Sequence, residues 1–530
     1  MERGALATVK ARNTARSPPL QKYLALATRF LSLPRLSCPL PARTLAPKFI
    51  ASGLAKRSAT ANLPASIKRM KLRFASVLSL LLLIPGLRAA DAPVTVPGFT
   101  FVKTVGAVSE YTLDANGLQV LLLPDHSAPV VTFMVTYHVG SRNEVTGTTG
   151  ATHLLEHLMF KGSANFNRTK ANGFDQALDP IGATNNATTW LDRTNYYETF
   201  GSEHLSLITE MESDRMRNLL LHDDDRRPEM TVVRNEFERG ENSPFQALIK
   251  EIFTAAYIAH PYHHPTIGWR SDIEKGSIEK LREFYDTFYW PNNATVTVVG
   301  DFQPSAALAL VGKYYGAIPH SPRPIPQLYT EEPDQSGPRR VLVKRAGQLG
   351  VVAIGNKTPA ATHPDAPAVT VLSAILTDGK NSRLYKTITD KSLSTGVSGF
   401  PFPTHDPSLH FIFIPLAPGV THEAVEKIAL EQIEKLKQDG VTDAEVQAAI
   451  AKYLAEAAYQ RDGTYAIANN INTAIAVGDW TLYYNFDEAV KKVTAADIQR
   501  VARKYFNVDQ STTGWFVPLL PGAPTSAAAK

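Results

Sequence analysis

The chain has 530 residues, 44% of them hydrophobic and 20% charged, with a formal net charge of +5 and one cysteine. That length exceeds one hydrophobic core and calls for about two to four domains of ordinary globular composition. The positive balance belongs to the first 90 residues, which hold 16 Lys and Arg against the single acid Glu2; the other 440 hold 39 basic and 49 acidic residues, so overall basicity gives no argument for nucleic-acid binding.

Within the leader, Met70-Lys71-Leu72-Arg73 precedes an apolar run over 74–84, then Pro85-Gly86 and the small residues Ala89, Ala90 and Ala92. A positive start, an apolar centre and a small-residue cleavage region make 70–90 a secretory signal peptide. Met70 is then the expected start, residues 1–69 an upstream extension without a fold, and the mature protein periplasmic or secreted. The competing reading takes the Arg- and Ser-rich residues 1–69 as an organelle transit peptide. Cys38 lies in the leader, so the mature chain has no disulfide and no thiolate; a metal there is held by His, Asp or Glu. After the leader no apolar run is long enough for a transmembrane anchor.

Strand patterns open the mature region, over 117–123 behind an Asn116-Gly117 turn and over 130–139. A loop over 140–150 leads into a short helix carrying His153-Leu154-Leu155-Glu156-His157 and stopped by Gly162, with a further loop and helix through Leu178. On a helix His153 and His157 lie one turn apart on the same face, so both imidazoles reach one ion. Glu156 stands beside them, placed to take a proton from water polarised by that ion. His-x-x-Glu-His inverts the commoner zinc-protease order. The plain alternative is a half-buried amphipathic helix whose histidines only pack.

Residues 182–197, small, polar and β-branched, suit a strand with one face open to solvent or ligand, or an ordinary edge strand. Ser202 is placed to cap a helix with Leu205, Ile208, Met211 and Leu219 inward. Pro228 suits a first helical position, opening a helix on which Glu229 and Glu236, seven residues apart, point the same way. A solvated charged face explains many such pairs; a metal that lacks a third protein ligand explains this one.

Six prolines within 318–338 mark a linker. The sides resemble one another: 277–302 runs helix, Tyr285 and Tyr289, Asn292-Asn293, strand; 494–517 runs helix, Tyr505-Phe506-Asn507, strand. The second side adds a helix with Val425, Ile428, Ile433 and Leu436 inward, ended by Gly440, and another opened by a capping box at Thr442 and Glu445. His405, His410 and His422 have no ligand spacing and read as surface residues.

Taken together, His153-Leu154-Leu155-Glu156-His157, Glu236 some eighty residues on, the 182–197 strand and the duplicated halves resemble the pitrilysin/insulinase family of zinc peptidases, in the two-repeat form of mitochondrial processing peptidase subunits. The resemblance implies an α+β fold of two homologous α/β sandwich domains. It implies an N-terminal catalytic domain over 98–318, a linker over 319–338, a non-catalytic repeat over 339–518 and a tail from 519. It further implies one Zn2+ per chain on His153, His157 and Glu236, Glu156 as general base, and Glu229 as the carboxylate orienting a ligand histidine. A peptide substrate would add as a strand beside Asn186, Ala187 and Thr188. Such chains are commonly half of a clamshell, so a homodimer or a heterodimer with a related chain is expected. The activity implied is zinc endopeptidase; the alternative is a weakly active subunit that closes a chamber. The family's substrate-contacting Arg in the C-terminal half falls at Leu409-His410-Phe411, leaving His410 or a partner chain to replace it.

Overall fold

A computed structural model describes residues 94–519. The expected upstream extension over 1–69 and signal peptide over 70–90, Cys38, and the tail from 520 onward lie outside the described residues.

The first sheet contains β1 (Phe99–Val105), β2 (Val108–Leu113), β3 (Gln119–Pro124), β4 (Val130–Tyr137), β5 (Thr184–Thr189), β6 (Thr194–Gly201) and β7 (Ala294–Gly300), in the order β1-β2-β3-β7-β4-β6-β5. The second contains β8 (Arg339–Ala346), β9 (Val351–Thr358), β10 (Ser398–Pro401), β11 (Ser408–Pro415) and β12 (Ser511–Leu519), in the order β10-β11-β9-β12-β8. Started from β3, the first sheet reads β3-β7-β4-β6-β5; started from β8, the second reads β8-β12-β9-β11-β10. In both, the late strand runs parallel to one neighbour and antiparallel to the other. The repeat seen faintly in the letters is therefore a repeat of topology, and the fold is mixed α/β with two sheets.

Helices α1 (Ala151–Leu158), α2 (Phe174–Leu178), α3 (Leu205–Arg217), α4 (Asp223–Glu241), α5 (Pro244–Ala256), α6 (Arg270–Lys275), α7 (Ile278–Phe288) and α8 (Pro304–Tyr315) belong to the first half. The second half has α9 (Ala366–Thr377), α10 (His422–Asp439), α11 (Asp443–Tyr459), α12 (Thr464–Ala476), α13 (Leu482–Val490) and α14 (Ala495–Tyr505). One helix of each half lies on the other half's sheet. Leu248, Ile252 and Phe253 of α5 pack on Val343, Ala353, Phe411 and Phe516 of the second sheet. Ala468, Ile471 and Ile475 of α12 pack on Leu121, Met134 and Val299 of the first. Glycine permits the close approach of α5: a Cβ on Gly355 would stand 2.9 Å from Ile252, and one on Gly514 3.0 Å from Leu248 and Ile252. Strands covered on both faces are buried along their length, as β4, β7 and β11 are.

Four local expectations change. Residues 182–197 are not one strand: β5 and β6 form a hairpin around Trp190, Leu191, Asp192 and Arg193. That turn has no Gly, Pro or Asn; it is held by distant groups, Tyr262 Oη donating to Asp192 Oδ1 at 2.6 Å and the His405 N–H to Asp192 Oδ2 at 3.1 Å. Pro228 lies inside α4, which begins five residues earlier with Asp223, Asp224 and Asp225 in its first turn, where carboxylates complement the helix dipole. Ser202 makes no side-chain cap; its hydroxyl donates to Asp301 Oδ2 at 3.2 Å, and Leu219 lies beyond the end of α3. His410 is no surface residue: it is fully buried on β11, its Nε2 2.8 Å from Ser373 Oγ and its ring against Phe506.

Candidate active site

The site begins with the way α1 is held. Gly150 caps the helix at φ +83°, and a Cβ there would meet the Ile267 carbonyl oxygen at 2.4 Å, so glycine answers both backbone and space. The buried Glu144 carboxylate accepts from the Gly150 and Thr152 N–H groups, each at 2.8 Å, supplying acceptors that the helix start lacks. Leu154, Leu155 and Leu158 sink into the core, which turns His153 and His157 outward together on the opposite side.

Helix α4 meets that side. Its Val233 is buried in the same core, whereas Val232 is 43% exposed, so the helix presents Glu229 and Glu236 toward α1. The imidazole rings of His153 and His157 stand 4.8 Å apart, edge to face. Glu236 Oε2 lies 3.7 Å from each Nε2. That distance is too long for a hydrogen bond and near the ~3.4 Å edge of a tetrahedron built on zinc bonds of about 2.0–2.1 Å. Among the described residues, His153, His157 and Glu236 are the cluster whose donor atoms suit a metal ion, all within 4.8 Å of one another. Two imidazoles and one carboxylate fit zinc, and three ligands leave a fourth position open.

The carboxylates around the cluster differ in what they touch. Glu229 Oε1 accepts from His157 Nδ1 at 2.8 Å, and Glu229 Oε2 lies 2.5 Å from Lys161 Nζ. Burial opposes charge on Glu229, but these two partners hold its carboxyl down to about 2. Burial is likewise the largest influence on His157 and opposes its charge, but the hydrogen bond to Glu229 together with the charges of Glu156, Glu236 and Glu229 outweighs it, raising the imidazole. His153, whose Nδ1 is buried without a partner, is pushed down to about 3 by burial and by His157 beside it. Glu156 accepts from Thr189 Oγ1 at 2.5 Å; burial raises its carboxyl above the usual range. Burial also raises Glu236.

Thr189 is the last residue of β5, the outer strand of the first sheet, so the strand edge ends beside Glu156. Asn186 is half-buried and its Oδ1 holds the Ala187 N–H at 2.8 Å; the Thr188 carbonyl accepts from Arg193 at 3.2 Å. Ala187 is fully buried in the core. Sequence reasoning missed Lys161, Thr189 and Glu144. Lys161 stands four residues after His157, a helical spacing that marks a neighbour; Thr189 shares the face of Ala187 by strand alternation; Glu144 leaves no local signal.

A family profile described as "Insulinase (Peptidase family M16)" matches residues 119–269, and one described as "Peptidase M16 inactive domain" matches 276–453. The "Zinc protease PqqE" of Helicobacter pylori is 33% identical over 408 residues, covering 76% of this chain and 91% of that one. The chain belongs to peptidase family M16. Among solved structures it resembles "a protease from Helicobacter pylori", with a TM-score of 0.73 and 32% identity over 78% of this chain and 99% of that one. The "periplasmic protease PqqL from Escherichia coli", at 16% identity, shares the fold alone: its TM-score is 0.66, covering 80% of this chain and 50% of that one. His153, Glu156, His157, Glu229 and Glu236 all fall within the stretch matched by the first profile.

Proposed function

We propose that this chain is a zinc-dependent endopeptidase that cleaves peptides or unfolded polypeptide segments. What carries the reading is the convergence of His153, His157 and Glu236 beside a buried Glu156, at the end of an open strand edge. His153, His157 and Glu236 hold the ion, and Glu229 fixes the His157 ring through Nδ1. Zinc, when bound there, supplies a Lewis acid that polarises the scissile carbonyl and acidifies water. Glu156 accepts the proton of the attacking water and returns it to the leaving amine, while Thr189 keeps its carboxylate aimed. The peptide pairs along the outer edge of β5 beside Asn186, Ala187 and Thr188, displacing Asn186 Oδ1 from the Ala187 N–H, which orders its backbone without demanding one side-chain sequence.

The names of the relatives support zinc proteolysis, and the signal-peptide pattern over 70–90 supports action outside the cytoplasm; among the described residues no helix is long and apolar enough to cross a membrane. A subunit that only closes a chamber around a catalytic partner has no use for a positioned base. The decisive experiment measures bound metal and cleavage of a peptide mixture by the purified chain, with and without chelator. One zinc per chain and hydrolysis lost to chelator and restored by zinc are expected. Glu156→Gln should keep the zinc and lose about 10²–10⁴ in rate. Cleavage indifferent to chelator, or unimpaired in Glu156→Gln, would overturn the reading.

A further inference from the structure

The two imidazoles of the cluster are held differently. The far nitrogen of His153 is buried and makes no hydrogen bond, whereas the far nitrogen of His157 meets Glu229 at 2.8 Å. Glu229 in turn has its second oxygen 2.5 Å from Lys161 Nζ, so both ends of its carboxylate are engaged and its plane cannot turn freely. Lys161 itself is fixed in the turn that ends α1, its N–H bonded to the Leu158 carbonyl at 3.0 Å, and its side chain is 24% exposed. The ammonium thus ties the end of α1 to α4, the helix that also bears Glu236.

We propose that Lys161 is a positioning residue for the metal site, acting through Glu229 on His157. The inference rests on the zinc-peptidase reading above. A metal-binding histidine is aimed by the acceptor on its other nitrogen, and losing such an acceptor typically costs 10–100-fold in metal affinity. An acceptor that is itself free to rotate aims poorly. Lys161 removes that freedom, and since His153 lacks an equivalent partner, this relay carries the orientation of the pair.

The test is a double-mutant cycle on zinc affinity, measured on metal-free protein by competition with a chromophoric chelator. Lys161→Met keeps the aliphatic stem and should weaken zinc binding about 10-fold, the lower end of that range, because it acts one contact further out. Lys161→Arg should restore most of it. In a Glu229→Gln background, Lys161→Met should weaken binding no further, since the group it acts through is gone. Thermal unfolding of each metal-free variant separates misfolding from misaiming. Unchanged affinity in Lys161→Met, or an equal loss in both backgrounds, would overturn the role of Lys161. Failure of the zinc reading looks different: wild-type protein would bind no zinc, or Glu236→Gln would bind it as tightly.

Discussion

Replacing Thr189 by valine keeps the shape of the side chain and removes the hydroxyl that donates to Glu156 Oε2 at 2.5 Å. The acceptor is buried, and a hydrogen bond to a charged group is worth about 1.5–3 kcal/mol. That bond favours the ionised carboxylate over the acid, so its loss raises the Glu156 pKa; the bond's worth corresponds to about 10–100-fold in the ratio of base to acid. In the metal-free protein burial raises this carboxyl, while His157, Thr189 and Arg193 work to lower it. A base must be deprotonated to act. The acid limb of the kcat/KM profile should therefore move to higher pH, costing about 10–100-fold on the acid side and much less on the alkaline side. Peptide cleavage at saturating zinc from pH 5 to 9 is the assay. An acid limb that stays in place, or a loss equal at every pH, would refute the assignment of Thr189 as the group that tunes the base.

Glu236→Gln should strip most of the metal, read by elemental analysis of the purified variant; Glu229→Gln should cost about 10–100-fold in zinc affinity and retain measurable cleavage. Ile471→Ala, in the helix that covers the other half's sheet, should destabilise by about 2–5 kcal/mol with a single unfolding transition, since Ile471 is fully buried against the first sheet. Two separated transitions would show that the halves unfold independently. Glu229, held down to about 2 against an ordinary value of 4.5, contributes stability to the metal-free protein that is present above pH 4.5 and lost as pH falls toward 2. Urea unfolding of metal-free protein should show that loss, and Glu229→Gln should lack it. The donor cluster lies in the first half, and His410 is buried away from solvent, so a second copy or a related chain is expected to cover the site. Light scattering and activity against concentration test this: full, concentration-independent activity of a monomer would exclude it.

Much of the site was legible in the letters because it is local. The four-residue spacing of His153 and His157 and the apolar Leu154, Leu155 and Leu158 between and after them determine which side of α1 faces the core. The seven-residue spacing of Glu229 and Glu236 likewise sets them on one side of α4, even with the start of that helix misjudged at Pro228. The duplicated order of helix, aromatic residues and strand announced the repeat. Only the tertiary structure decided what these faces meet. It brought Glu236 within 3.7 Å of both imidazoles, joined Lys161 to Glu229, and set Thr189 against Glu156. It anchored the turn of the 184–201 hairpin, itself closed by the Trp190 N–H to the Arg193 carbonyl, through Asp192 contacts with Tyr262 and His405, seventy and more residues away. It buried His410, whose neighbours Leu409 and Phe411 are buried too because α5 covers the second sheet from outside its own half. Periodicity along a chain fixes the direction of a side chain relative to its own element. The partner it finds there depends on strand order and on the exchange of α5 and α12 between the sheets, and no window of sequence contains both sides of such a contact.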